Sequence, residues 1–223
     1  AGASGPHGTR AAPLEGSHQP AGGPPASPTP HGSATLRTTP VPSAHAEGAP
    51  PGHTGGFGEP TCRACHDEFE LGLDGRLTVD GLPERYEPGR RYTVTLTLES
   101  AGMARAGFQA ALRHAVGEMV GRSAGVVGGL ADDGAGVESR AAPSASEIVV
   151  VRDEDGVEYV THAPGGRWTE GDEVTTWSFR WVAPDEPAGP VAFHAAANSA
   201  DGDDSPFGDI VYAVADTVGG PGG

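Results

Sequence analysis

The sequence predicts an all-β protein, an antiparallel β-sandwich preceded by a long extended tail rich in Pro, Gly and Ala. Three observations predict it. Short apolar runs recur with period two, and turn residues punctuate them at regular spacing. The stretch up to His53, by contrast, has hardly any aliphatic side chain and no aromatic one.

That first stretch, residues 1–54, is Ala, Gly, Pro, Ser and Thr with scattered His. It cannot bury enough apolar surface to offset the entropy of ordering it. An extended tail is expected, serving as a tether or as a strap along a neighbouring subunit. Its histidines (His7, His18, His31, His45, His53) are too irregularly spaced for a metal-binding tract and read as incidental. Residues 55–76 carry the two cysteines, residues 77–218 the sandwich, and residues 219–223 a short Gly/Pro end.

In "RRYTVTLTLES", Tyr92, Val94, Leu96 and Leu98 fall on one face and Thr93, Thr95 and Thr97 on the other, a half-buried strand; "RLTVDGL" before it reads the same way. "EIVVVRDEDGVEYVTH" is two apolar runs around Asp-Glu-Asp-Gly, a hairpin. "TTWSFRWVAP" alternates Trp177, Phe179 and Trp181 and stops at Pro184. "GPVAFHAAANSADGDDSPFGDIVYAVADTV" reads as strand, acidic turn, strand. "GMARAGFQAALRHAVGEMVG" has helical propensity, but Gly107 and Gly117 weaken it and propensity is a weak prior; among so many strands, a further strand is the economical reading.

The 223 residues carry a formal charge of −16, almost all of it after residue 60, and every basic residue is Arg. Nucleic acid and anionic membrane surfaces are therefore poor partners. A basic partner suits this charge, with association weakening as salt rises. No membrane span or signal-like stretch is present. The chain, starting at Ala1, reads as a processed exported protein, though an excised piece would look the same.

Four segments, "YEPGRRYTVTLTLE", "GMARAGFQAALR", "YVTHAPGGRWTEGDEVTTWSFRWVAP" and "GPVAFHAAANSADGDDSPFGDIVYA", together resemble the Reeler (reelin-N-terminal-like) domain. More narrowly they resemble its bacterial, "choice-of-anchor" version, in which "GGFGEPTCxxCH" precedes the sandwich. The resemblance covers residues 55–217. It implies an Ig-like sandwich and an extracytoplasmic protein, periplasmic or at the cell surface. It implies little about activity, because fold does not fix function.

The chemistry lies in Cys62-Arg63-Ala64-Cys65-His66. Covalent haem c needs two thiols two residues apart for the vinyl groups and a following histidine for the iron. Cys62, Cys65 and His66 supply that set, and no other cysteine exists. Three other readings stay open. A structural zinc site needs a fourth ligand. A thioredoxin-like dithiol belongs in an α/β fold. A Cys62–Cys65 disulfide would close too short a loop to stabilise much. The flanking "GGFGEP" is expected to give a flexible, unhindered approach for the ring.

A haem would need a distal ligand or leave an open site. The turn after "YTVTLTLE" carries Met103, expected at the sandwich end that the segment entering the first strand reaches. A Met/His pair, His66 with Met103, is the ligation of high-potential cytochromes. His194 ranks behind Met103. His162 is expected at the opposite end, and Met119 and His53 lack support. Asn198, Asp201, Asp203, Asp204 and Asp209 resemble calcium ligands in type, but their spacing does not match an EF-hand, so a solvated acidic turn is expected.

The resulting expectation is an exported monohaem c-type protein, an electron carrier or a haem-bearing subunit whose partner is a redox protein or neighbouring subunits. The alternative is a haem-free structural or adhesion module with Cys62 and Cys65 as a disulfide or free thiols. Haem-based catalysis would need distal acid–base groups that the sequence does not single out.

Overall fold

The computed structural model describes residues 48–130, 148–169 and 172–222, without the side chain of Arg167. Of the tail expected over residues 1–54, residues 1–47 lie outside the described residues; the described residues all fall in one compact unit.

Ten strands form two antiparallel sheets among the described residues: β1 Gly75–Asp80, β2 Arg91–Ser100, β3 Arg105–His114, β4 Val126–Gly128, β5 Ile148–Arg152, β6 Glu158–His162, β7 Arg167–Trp168, β8 Val174–Val182, β9 Val191–Ala200 and β10 Ile210–Val218. One sheet runs β1-β2-β8-β4. The other runs β10-β9-β3-β6-β5, with β7 pairing β3 beyond the end of β6. The expected all-β, Ig-like sandwich is therefore present, with two short strands, β4 and β7, that no periodic pattern announces. No helix among the described residues is long and apolar enough to cross a membrane.

The alternation read from the sequence is what closes the two sheets on each other. Val94, Leu96 and Leu98 of β2 and Trp177, Phe179 and Trp181 of β8 are all buried. They share a register, with Leu96 opposite Trp177 and Val94 opposite Phe179. From the other sheet, Phe108 meets Trp177 with ring centroids 4.8 Å apart. Trp181 Nε1 donates to the Ala124 carbonyl at 2.8 Å, so the indole is buried with its donor satisfied.

Strand β3 is the segment whose composition favours a helix. Its period is two all the same: Ala106, Phe108, Ala110 and Leu112 enter the core, and Gly107, Gln109, Ala111 and Arg113 take the other face. That second face is covered too, since Gln109, Ala111 and Arg113 are buried. Strand β9 behaves likewise, Phe193, Ala195 and Ala197 facing inward and His194, Ala196 and Asn198 outward. Of the alanines that suggested a helix, Ala106 and Ala110 face the core and Ala111 lies on the covered outer face.

Candidate functional site

The covering piece is the N-terminal stretch of the described chain, residues 48–66. Its first anchor is Gln109, fully buried on the outer face of β3. Gln109 Oε1 accepts from the His53 amide at 2.7 Å, and its Nε2 donates to the Pro50 carbonyl at 2.9 Å. Residues 48–54 thus belong with the folded unit rather than with a tail ending at 54.

The "GGFGEP" stretch follows as a closed loop. Thr54 bridges Thr61, and the Gly55 amide donates to the Pro60 carbonyl at 2.9 Å. Glu59 fixes the loop to the sheet: it accepts from Arg113, from the Tyr159 hydroxyl at 2.6 Å and from the Thr54 hydroxyl at 2.7 Å. Burial works to raise the Glu59 carboxyl, but the hydrogen bonds from Tyr159, Arg113 and Thr54, with the Arg113 charge, outweigh it and hold it below the ordinary carboxylate value. Gly56 lies so close to His194 that a Cβ there would sit 2.5 Å from the imidazole. Phe57 meets the same ring edge-on at 5.6 Å. The flexible approach expected of this loop is corrected: charge, hydrogen bonds and ring contacts fix it.

The loop delivers the chain into a single 3₁₀ turn, Cys62–Ala64, capped by the Thr61 hydroxyl accepting from the Arg63 amide. The Cys65 and His66 amides both donate to the Cys62 carbonyl, at 3.2 and 3.1 Å. Side chains three apart in such a turn eclipse, which sets Cys62 and Cys65 on one side. Both are free thiols. Burial pushes the Cys62 thiol up to about 12, the opposite of what a redox nucleophile requires.

His66 Nδ1 lies 2.6 Å from Asp209 Oδ2, and Asn198 Nδ2 donates to the same carboxylate oxygen at 3.0 Å. Asp209 is 1% exposed. A carboxylate oxygen only accepts, so Nδ1 carries a proton, and in the neutral ring Nε2 keeps its lone pair. Metal-ligating histidines are oriented in this way. The Gly208 amide donates to Glu68 at 2.6 Å, tying the chain just past His66 to the same turn.

Cys62, Cys65 and His66 line one open groove. Much of the wall is small or apolar, with Ala49, Pro50, Ala106, Gly107, Ala200 and Gly202, while His53, His162 and Arg105 supply polar groups. Arg105 pairs with Asp204 at 3.1 Å and stacks over Trp168 at 4.8 Å. Two thiols and an oriented imidazole on one open groove are the donor set that a covalently held haem needs.

The other sequence-derived candidates fall elsewhere. Met103 is 1% exposed and packs in the inter-sheet core, outside the groove lining, because its turn points the thioether between the sheets. His194 is occupied as the seat of Gly56 and Phe57, and burial lowers its pKa, the nearby Arg113 charge acting in the same direction. His162, expected at the opposite end, lines the groove: a Cβ on Gly107 would come within 2.7 Å of its ring, so the glycine makes its place. Met119 is exposed. Asp209 and Asn198 leave the solvated acidic turn to support His66, and no sequence signal joins them to it. His53, set aside with the tail histidines, lines the groove as well. Among the described residues no group of three or more His, Cys, Asp or Glu converges as a set of metal-ion ligands.

No family model matches the chain, and no curated protein matches it at a significant level. Among solved structures it is similar to the Reelin-N domain of F-spondin, at 19% identity and a TM-score of 0.45, over 72% of this chain and 96% of that one. It is also similar to the human F-spondin reeler domain, at 20% identity and a TM-score of 0.42, over 68% and 91% of the two chains. Both likenesses concern the arrangement of strands.

Proposed function

We propose that this protein is an extracytoplasmic monohaem c-type protein that carries electrons, alone or as a subunit of a larger redox assembly. One observation carries the reading: Cys62, Cys65 and His66 line a single cleft, with the proximal imidazole already set by Asp209. Cys62 and Cys65 would hold the ring by thioether bonds and His66 Nε2 would take the iron. A bound haem supplies one-electron chemistry. Asp209 fixes the tautomer and strengthens the imidazole as a donor. Arg105, on the groove wall, would supply a positive charge for a propionate. The acidic body of the chain suits a basic redox partner.

The test is the intact mass and visible spectrum of the full chain, produced in a host that matures c-type cytochromes. A mass increase of one haem with a sharp reduced α-band is expected, and Cys62→Ser with Cys65→Ser abolishes both. An apo mass without a Soret band overturns the reading. It would favour the alternative of a haem-free structural module, which has one observation behind it: the Glu59, Arg113 and Tyr159 contacts hold the loop without any cofactor.

A further inference from the structure

Three histidines line the groove, and their hydrogen bonds sort them. His66 Nδ1 faces a carboxylate oxygen. His53 Nδ1 faces two carbonyl oxygens, of Pro50 at 3.0 Å and Pro51 at 3.2 Å. Carbonyl oxygens only accept, so His53 too carries its proton on Nδ1 and keeps the Nε2 lone pair. His162 differs: its Nδ1 lies 3.1 Å from the Phe108 amide and 3.2 Å from the Phe108 carbonyl, one a donor and the other an acceptor, so these contacts commit neither ring nitrogen.

We propose that His53 is the second axial ligand of the haem iron, opposite His66; the inference rests on the haem reading above. Both rings then present an unprotonated Nε2 to one cleft, each set from behind by oxygen acceptors. Gln109 is the positioning residue. Fully buried, it grips the His53 amide and the Pro50 carbonyl, the same carbonyl that holds Nδ1, and so does for His53 what Asp209 does for His66. Met103, enclosed in the core, has no part in the ligand set. The consequence is a bis-imidazole iron with a lower potential than a Met/His pair would give, and with no axial position open to peroxide or another substrate.

The experiment uses the full chain with covalent haem, read by intact mass, by the ferric spin state in electron paramagnetic resonance, and by the near-infrared sulfur-to-iron charge-transfer band. The wild type is expected to be low-spin without the sulfur band. His53→Ala should lose the low-spin signal, keep the haem mass, and regain low spin when imidazole is added. His53→Met should bring in the sulfur band and raise the potential. Gln109→Leu should turn part of the population high-spin. Met103→Leu and His162→Ala should leave the spectrum unchanged. A low-spin signal that survives His53→Ala and disappears in His162→Ala or Met103→Leu overturns the His53 assignment and leaves the haem reading standing. A wild type without haem mass overturns both.

Discussion

Strand β3 has two buried faces held by different physics. On one, Phe108, Ala110 and Leu112 are packed by apolar neighbours across the sandwich, an interaction that is non-directional and scales with area. On the other, Gln109 and Arg113 are just as inaccessible but are polar and individually partnered. The first face determines that a sandwich forms. The second determines which piece of chain lies on it and in what register, because each buried polar group is costly unless its own partner arrives. The candidate site lies on that side of the sheet.

The contrast makes predictions that separate the faces. The largest effect is expected on the apolar side: Trp177→Ala removes the ring that meets Phe108 and should cost about 3–5 kcal/mol, read as a loss of global stability in denaturant. Next is Glu59→Gln, which leaves Arg113 with 6% side-chain exposure and no carboxylate. It should cost about 3 kcal/mol, felt locally. The Gly55 and Glu59 amides should exchange roughly a hundredfold faster while the core amides of β2 and β8 stay protected. Equal acceleration in both regions would break the distinction. The smallest effect is that of acid. Docking lowers the His194 pKa from 6.5 and the Glu59 pKa from 4.5. Each group therefore supports the docked loop fully above its ordinary value and loses that support as pH falls through the lowered one. Loop amides should lose protection first below 6.5 and again below 4.5, ahead of the core; simultaneous loss would contradict this.

The legible half of the molecule is the half that area governs. Period-two runs disclosed β2, β8, β9 and β10, because half-buried strands must alternate. The Cys62–His66 spacing was legible for the same reason: its geometry is local. What stayed hidden is long-range and polar. Nothing in "SPFGDIV" marks Asp209 as the partner of His66, and nothing in a tail of Gly and Pro marks His53 as docked on Gln109. Met103 was misplaced because a turn residue's sequence position says which end of the sandwich it occupies, not whether its side chain points between the sheets or out of them.

The separation between His66 and its supports has a consequence for the order of events in a chain's life. The turn that presents both thiols is closed by contacts within residues 61–66, so it can form as soon as that stretch exists. The imidazole's neighbour Asn198 lies 132 residues further on, and bringing such distant segments together must wait for the strands between them. Clamping of His66 by Asp209 comes at the end, once β9 and β10 have joined the sheet; on the haem reading proposed above, a ring would be attached to Cys62 and Cys65 before that clamp closes.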